Sequence, residues 1–409
     1  RRCASRISMH ESSHVKCGFF YGIMTAKGAV GVQLTRAVKE FARSIGVDHI
    51  GIARAEPFPR EEAQLRAQAA AGRYPRFTDT DIPRRTDPRK LLPDARSIIS
   101  IAVSYLTDDS PRTAVHDGVP RAWVSRYAWG DVDYHHVLRE KLDRIVEFLA
   151  ANVPFPVRAL PYVDTGPPVE RSVAERAGVG WFGKNNCIYV PGHGSWVFLG
   201  EIVTNVELVP DTPQGKSCGT CTRCIDACPT GAITGPFRID PNRCLSYITQ
   251  MPGVIPVEFR RPMGRMLFGC DICQIVCPWN WEAAPANRPE FRPRAALGSR
   301  PALIPLLTMT NSQFKRWFGG TAMAWRGKKI LQRNACICLG NIKNPLAVPP
   351  LIDRLEHDGK EEVRGAAAWA LGEIGGDDAV AALKRRLPVE PSDYVRSEIE
   401  TAIAHAAQA

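Results

Sequence analysis

The chain has 409 residues, of which 44% are hydrophobic and 23% charged, and it carries a formal net charge of +11. This length predicts two or three domains, and the composition excludes a fibrous or wholly disordered protein. No apolar run is long enough to span a bilayer, so no membrane segment is expected. The basic charge suits a polyanionic partner such as nucleic acid, although solubility alone would also account for it.

Residues 1–31 are rich in Arg, Ser and His and are expected to be an extension, disordered or not native to the protein. After them, the spacing of apolar residues predicts alternating helices and strands. The predicted helices cover 34–45, 61–71 and 133–151, and the predicted strands cover 48–53, 97–105, 157–163, 186–190 and 196–203. This alternation predicts a single α/β domain over residues 32–210.

The C-terminal part, residues 291–409, begins with a Pro-rich linker and then repeats itself. The sequence Leu-Gly-Asn-Ile at 339–342 returns as Leu-Gly-Glu-Ile at 371–374, 32 residues later. Ala-rich helix pairs with this period predict HEAT-like helical repeats. Because so few repeats are unstable alone, we expect them to dock on the rest of the protein.

Eight of the thirteen cysteines lie between Cys218 and Cys277, within a segment (residues 211–290) that we call the cluster module. The first run is C-x2-C-x2-C-x3-C-P from Cys218 to Pro229, the spacing of bacterial ferredoxins that hold two [4Fe–4S] clusters. In that arrangement the fourth cysteine binds the other cluster. The second run, from Cys270 to Pro278, lacks its first cysteine, and Cys244 is the available substitute.

The spacing therefore predicts that the two runs exchange ligands. Cluster one takes Cys218, Cys221, Cys224 and Cys277, and cluster two takes Cys228, Cys244, Cys270 and Cys273. The alternative is a pair of zinc sites, which more often use two separated cysteine pairs. Thiolates that must stay reduced favour a cytoplasmic location. Such a module conducts single electrons, so it requires a low-potential donor and an acceptor site elsewhere in the chain.

No dinucleotide-binding glycine motif and no P-loop identifies that acceptor. The segment 162–205 is rich in polar residues and glycine, and Asp164 ends a predicted strand within it. That position fits a reactive carboxylate or an ordinary turn. Each of Lys184, Asn185 and Ser195 fits either a turn residue or a ligand contact. The run from Asp133 to His135 approaches a cobalamin-binding histidine motif but lacks its glycine.

Over residues 35–385 the chain resembles the epoxyqueuosine reductase family in the form that carries C-terminal repeats. Long motifs spread through all three segments carry the resemblance. They are Tyr127 with the DYHH run (133–136), DTGPPVER (164–171), WFGKN (181–185), GSWVFLGEI (194–202), CGTCTRCIDACPTGAI (218–233), RCLSYITQ (243–250) and GCDICQIVCPWN (269–280).

The resemblance implies a multi-domain α+β protein in which a nitroreductase-like α/β domain holds cobalamin. Electrons would pass through the two clusters to the cobalamin, which would reduce the epoxide of epoxyqueuosine at the wobble position of tRNA. Two electrons and two protons would give queuosine and water. The resemblance assigns the proton donor to Asp164, and we expect burial to raise the pKa of this carboxyl towards neutrality.

By motif position the resemblance also implies a set of cobalamin contacts. They are Tyr127, Arg171, Lys184, Asn185, Ser195 and Asp271. A monomer is expected, with the tRNA anticodon stem-loop as partner and an unidentified low-potential electron donor. The basic residues proposed to meet the RNA are Arg260, Arg261, Arg265, Arg326, Lys328 and Lys329.

Two other functions compete with this one. A corrinoid reductive dehalogenase also combines cobalamin with two clusters, but it would usually carry a full twin-arginine export signal and no helical repeats. An electron-transfer adaptor built from the cluster module and the repeats would leave the motif-rich segment 162–205 unexplained.

Overall fold

A computed structural model describes residues 27–74, 78–108, 118–286, 288–295 and 297–407. The first helix already begins at Lys27, so the fold starts before the predicted boundary at residue 32. The rest of the predicted extension, residues 1–26, lies outside the described residues. Among the described residues, no helix combines the length and the apolar character needed to cross a membrane.

The N-terminal segment and the cluster module contain all the strands of the described chain. The strands are β1 His49–Arg54, β2 Ser97–Ser104, β3 Trp123–Val124, β4 Ala159–Tyr162, β5 Trp181–Phe182, β6 Ile188–Tyr189, β7 Val197–Thr204, β8 Ile233–Gly235, β9 Arg238–Ile239 and β10 Met266–Phe268. The helices before residue 280 are α1 Lys27–Ser44, α2 Pro59–Ala70, α3 Ile82–Thr86, α4 Tyr134–Asn152, α5 Glu170–Arg176, α6 Arg223–Asp226, α7 Leu245–Ile248, α8 Val257–Met263 and α9 Ile272–Ile275.

The main sheet has the order β1-β2-β7-β4, and each neighbouring pair is antiparallel. The predicted strands at 48–53, 97–105 and 196–203 are confirmed to within one or two residues. The α/β prediction is wrong in one respect, because the sheet is antiparallel and the domain is α+β. Alternation along the chain does not set strand direction when the connections are as long as residues 55–96 and 105–196, since the chain can return either way.

Helices cover both faces of this sheet. On one face, Leu138, Leu142 and Ile145 of α4 pack with α1 against Ile99 and Ile202. The other face is covered by α5 and the residue after it, where Ala174 and Ala177 pack with Ala53 and Ala102 of β1 and β2. A Cβ at Gly51 of β1 would lie 2.0 Å from the carbonyl oxygen of Ala177, so only glycine permits this close approach. The C-terminal end of α5 is thereby held against β1.

Helices α10–α16 form the C-terminal part of the fold. Their bounds are α10 Leu303–Thr308, α11 Asn311–Phe318, α12 Lys328–Ile342, α13 Val348–His357, α14 Glu361–Ile374, α15 Asp377–Arg386 and α16 Asp393–Ala406. We call α12–α16 the repeat domain. The repeated glycines let its helices pack closely, because a Cβ at Gly340 would lie 2.9 Å from the Cα of Ala370.

The repeat domain docks on the cluster module through a continuous apolar core, as expected. Leu245, Phe259 and Phe268 of the module share this core with residues of α12 and α14. The fully buried Arg333 donates a hydrogen bond to the carbonyl oxygen of Met251 at 2.8 Å, and a buried cation with such partners fixes the docking geometry.

Candidate functional site

Asp164 lies two residues beyond the end of β4 in a backbone conformation that is rare for a non-glycine residue. Its φ is +48°, in the left-handed region. The turn that gives Asp164 this conformation is tight, since the amide of Thr165 donates to the carbonyl oxygen of Val163 at 2.5 Å. Strained residues of this kind cluster at reactive sites. The side chain of Asp164 is 58% exposed, so a bound ligand can reach it.

The first turn of α4 supplies the partners of Asp164. The hydroxyl of Tyr134 donates to Oδ2 of Asp164 at 2.5 Å, and Nε2 of His135 lies 3.6 Å from the same oxygen. Asp133 caps α4 by accepting from the amide of His135 at 3.0 Å, and its Oδ1 lies 2.7 Å from Nδ1 of the His135 ring. Asp133 therefore orients His135 towards Asp164.

This arrangement corrects the expectation that the pKa of Asp164 is raised. Desolvation does oppose its ionisation, but the approach of His135 and the hydrogen bond from Tyr134 outweigh it and lower the pKa below the ordinary value. Desolvation alone would lower the pKa of His135, but Asp133 and Asp164 raise it to about 9. At neutral pH the pair is therefore a carboxylate beside an imidazolium.

Two further carboxyl groups lie behind Asp164, and the sequence analysis did not single them out. Burial, followed by the charge of Asp164, raises the pKa of Glu170 to about 8. Glu201 of β7 pairs in register with Tyr162, is fully buried, and has its pKa raised by desolvation. Both lie in motifs of the resemblance, DTGPPVER and GSWVFLGEI, and this was the only signal for them.

Tyr127 lies between Asp164 and the cluster module. Its ring meets that of Tyr134 edge-on at 6.3 Å, and its hydroxyl accepts from Nε2 of Gln250 at 3.1 Å. Burial raises its pKa, and the charges of Asp164, Asp271 and Cys244 act in the same direction. Tyr127 therefore interacts electrostatically with both the Asp164 carboxylate and Cys244, a predicted cluster-two ligand.

The four predicted ligands of cluster one surround one cavity. Cys218, Cys221, Cys224 and Cys277 line a space of about 60 Å³. No group of three or more His, Cys, Asp or Glu side chains in the described ranges is arranged to hold a single metal ion. A cubane cluster spreads its four thiolates over separate iron atoms, so this arrangement fits a cluster better than it fits zinc.

The four predicted ligands of cluster two are also neighbours. Burial raises the pKa of Cys244 to about 11, and the nearby Cys273 and Cys228 thiols add to the rise. Burial also raises the pKa of Cys270, and the charges of Cys244 and Cys273 add to the rise. The structure thus brings together both predicted sets, and the assignment of individual ligands stays a prediction.

Four of the predicted cobalamin contacts are engaged with the cluster module. Asn185 donates to the carbonyl oxygen of Cys273 at 3.4 Å. Ser195 is held by Asn280 and Gln274, and Asp271 accepts from Ser125 and from the amide of Arg126. Arg171 is not one of these four, since it donates to the carbonyl oxygen of Asn186, outside the module, at 2.8 Å. Contact with cobalamin stays a prediction for each of them.

Lys184, the fourth of these engaged residues, contacts the ligand loop of cluster one. Its ammonium donates to the carbonyl oxygens of Gly219 at 2.7 Å and Cys221 at 2.8 Å, and its backbone amide donates to Sγ of Cys218 at 3.4 Å. It also lines the 60 Å³ cavity. The positive charge therefore lies beside the predicted cluster, where it favours the more negative, reduced state.

Lys184→Met is expected to lower the midpoint potential of one cluster and leave that of the other unchanged. Loss of one nearby charge would change the equilibrium constant of the one-electron couple about tenfold, equivalent to about 59 mV. A redox titration followed by electron paramagnetic resonance measures this shift. Lys184→Arg keeps the charge and should keep the midpoint potential close to that of the unmodified protein. Unchanged potentials in the Met variant would refute the placement of Lys184 beside cluster one.

The basic residues proposed to meet RNA are not equally available. Arg260 is 2% exposed and forms a two-bond ion pair with Glu398, so its predicted RNA contact is wrong. Lys329 pairs with Asp358 at 2.6 Å, and Arg261 pairs with Glu373 at 2.8 Å. Arginine side chains buried between helices are needed for docking, and sequence alone does not distinguish them from surface charges.

An antiparallel domain with a strained carboxylate, joined to a two-cluster module and helical repeats, defines an iron–sulfur oxidoreductase. Three family models match parts of this chain. They are the 4Fe-4S double cluster binding domain at residues 217–280, epoxyqueuosine reductase QueG at 85–165 and HEAT repeats at 326–404. The predicted double-cluster module and the HEAT-like repeats are therefore confirmed, as is the multi-domain α+β organisation.

Relatives of known name match nearly the whole chain. Epoxyqueuosine reductase of Bacillus cereus is 41% identical over 92% of this chain and 98% of its own length. That of Bacillus subtilis is 41% identical over 91% and 95%, respectively. A crystal structure of epoxyqueuosine reductase with an epoxyqueuosine-modified tRNA-Tyr stem-loop superposes with a TM-score of 0.87 at 41% identity, covering 92% of this chain and 99% of that one. The chain belongs to the epoxyqueuosine reductase family.

Proposed function

We propose that this protein reduces epoxyqueuosine in the anticodon stem-loop of tRNA to queuosine. The epoxide oxygen leaves as water, and the reaction consumes two electrons and two protons. The observation that carries the proposal is the Asp164 site, where a reachable carboxylate is joined through Tyr127 to the cluster module. The relative solved with a modified tRNA stem-loop supports the same substrate.

Cobalamin is the proposed cofactor of this site, in a nitroreductase-like domain at residues 32–210. Nε2 of His135 and Oε1 of Glu170 are buried without a hydrogen-bond partner, as expected where a polar ligand completes the site. The residues proposed to hold it are Tyr127, Arg171, Lys184, Asn185, Ser195 and Asp271. When bound, cobalamin would supply a low-valent cobalt that reacts with the epoxide, and the clusters at 211–290 would supply its electrons one at a time.

The residues around Asp164 supply the protons. Opening an epoxide leaves an alkoxide, which is a poor leaving group until it is protonated. Asp164 is exposed and is held in position by Tyr134, and because it is a carboxylate at rest it would first receive a proton from His135 and then pass it to the alkoxide. His135 and Glu170, with pKa values of about 9 and about 8, each carry a proton at neutral pH. The site thus stores two protons, as many as the reaction consumes.

The loop that carries Asp164 is suited to movement. It combines a positive φ with an exposed side chain, and within the described part of the chain Tyr134 and His135 contact the carboxylate. The epoxyqueuosine reductase of Bacillus subtilis has been solved with its catalytic aspartate loop swung out of the active site, at 40% identity and a TM-score of 0.87. We propose that Asp164 enters and leaves the reaction site in the same way.

The proposal also covers the setting of the reaction. A monomer located in the cytoplasm is proposed, since tRNA and reduced thiolates are both found there. The helices at 291–409 would extend the surface that meets the stem-loop. Because phosphate contacts release counterions, binding of the stem-loop should weaken as salt rises.

The deciding experiment supplies the purified, anaerobic protein with cobalamin, a chemical reductant and an epoxyqueuosine-containing stem-loop. Mass spectrometry of the digested RNA should show loss of one oxygen atom and formation of queuosine. Unchanged epoxyqueuosine, in the presence of intact clusters and bound corrinoid, would refute the proposed substrate.

The pH dependence of turnover should report the ionisation of His135. Its pKa of about 9 means that the stored proton is present below that pH and is lost as pH rises through about 9, so turnover should fall on the alkaline side. His135→Gln should lower turnover by about 10²-fold or more and remove the fall near pH 9, while the fall near pH 8 that follows loss of the Glu170 proton should persist. Single-turnover rates between about pH 6 and 10, in saturating reductant, measure it. An alkaline limb unchanged in the variant would show that another group titrates there.

A further inference from the structure

An exposed, largely aromatic patch lies on the cluster module. Ile275, Trp279 and Trp281 are 48%, 46% and 61% exposed. Lys216 lies over the ring of Trp279 at 5.9 Å, and Arg223 lies over that of Trp281 at 5.2 Å. The indole N–H of Trp281 donates to the carbonyl oxygen of Ile275 at 3.0 Å, which holds the ring in place on the surface. Exposed tryptophans beside cations are typical of protein-binding surfaces.

The patch lies directly outside the predicted position of cluster one. Trp279 and Arg223 line the same 60 Å³ cavity as the four cysteines Cys218, Cys221, Cys224 and Cys277. Three of these four cysteines are partly exposed, as are the four predicted ligands of cluster two, so the shared cavity and not thiol exposure relates the patch to cluster one. A protein bound on the patch would therefore approach cluster one through a single layer of side chains.

Cluster two lies nearer the reaction site. Gly269, next to the predicted cluster-two ligand Cys270, packs against the ring of Tyr127, which meets the ring of Tyr134 beside Asp164. Cluster one lies beside the exposed patch. Electrons consumed at the reaction site therefore enter most directly through the patch.

We propose that the patch formed by Ile275, Trp279, Trp281, Lys216 and Arg223 is the docking site of an acidic, low-potential one-electron carrier protein. The inference rests on the proposed electron-transfer function of the clusters. In each encounter the carrier is oxidised by one electron and cluster one is reduced by one. Two encounters per turnover supply the two electrons that the epoxide consumes.

Charge favours an acidic partner on this patch. Lys216 and Arg223 are exposed there, Lys184 lines the same cavity as Arg223, and the chain as a whole carries +11. The acids next to the patch in the sequence are Asp226 and Glu282, and Asp226 accepts a hydrogen bond from Thr222 at 2.8 Å. Complementary charge speeds association of weak, short-lived complexes, which suits a carrier that must leave after each electron.

The test measures reduction of the clusters with no RNA present. Anaerobic holoprotein is mixed with a small acidic flavodoxin in its hydroquinone state, and loss of cluster absorbance is followed by stopped flow. Trp281→Ser and Lys216→Glu should each slow this reduction by about tenfold. Reduction by dithionite, which needs no docking surface, should be unchanged. The wild-type rate with flavodoxin should fall as salt rises.

Matched controls lie far from the module. Phe155→Ser removes another exposed aromatic residue, and Lys384→Glu reverses another exposed lysine, and both should keep the wild-type rate. Iron content is checked in every variant, and if Trp281→Ser loses iron, Lys216→Glu decides.

Three results would overturn the proposal. The first is an unchanged flavodoxin rate in both patch variants. The second is weaker stem-loop binding with an unchanged flavodoxin rate, which would make the patch an RNA surface. The third is a wild-type dimer that the variants dissociate with an unchanged rate, which would make it a contact between copies. Normal reduction by flavodoxin without turnover of epoxyqueuosine would refute the proposed function and leave the docking site standing.

Discussion

Asp164→Asn is expected to abolish epoxyqueuosine turnover while the clusters and the bound corrinoid are retained. The amide keeps the size of the side chain and can still accept a hydrogen bond from Tyr134, but it cannot transfer a proton to the opening epoxide. General acid catalysis contributes about 10²–10⁴-fold, so the rate should fall by about that factor. Since the side chain is 58% exposed, the fold should be little affected.

Single-turnover assays with excess chemical reductant separate this effect from electron supply. Iron content, the corrinoid spectrum and stem-loop affinity should match those of the unmodified protein. Asp143→Asn is a matched control, because Asp143 is an exposed aspartate on α4 that pairs with Arg139. Tyr134→Phe should give an intermediate loss, since it removes the hydrogen bond that holds the carboxylate. Asp164→Asn with more than a tenth of normal turnover would exclude Asp164 as the acid.

The cluster module could be predicted well because its ligands lie close together in the sequence. A cubane needs thiolates at short, fixed intervals, and the run from Cys218 to Cys228 supplies them within eleven residues. The repeats were equally visible, because the glycines at 340 and 372 must recur for the helices to pack closely. The antiparallel direction of β7 and β4 could not be predicted, since it depends on pairing between strands far apart in the chain.

The Asp164 site was only partly predictable for a related reason. The motif identified the residue, but its partners Tyr134 and His135 come from a helix that begins thirty residues earlier. Their approach reverses the pKa shift that burial alone would give. Lys184 shows the same limit, because only the folded chain brings its ammonium to the loop at Gly219. Long-range contacts therefore decided what each motif residue does.

Cys244→Ser is expected to abolish turnover by removing cluster two. Cys244 comes directly before α7, and burial raises the pKa of its free thiol to about 11, although the amides of Ser246 and Tyr247 favour the thiolate. Iron would stabilise that thiolate, and serine is a poorer ligand. The variant should retain about four of the roughly eight irons expected for two clusters. Without cluster two, electrons reaching cluster one cannot continue towards Tyr127.

Cys187 provides the sharpest control for this prediction. It is a free thiol close to Cys273, so it is the one competing ligand for cluster two in the described part of the chain. The cysteine spacing assigns its side chain no role in the predicted cluster, and its backbone amide donates to Oδ1 of Asn185 at 3.2 Å. Cys187→Ser should keep about eight irons and both paramagnetic signals. Loss of iron in Cys187→Ser with retention in Cys244→Ser would reverse the assignment and undo the exchange of ligands between the two cysteine runs.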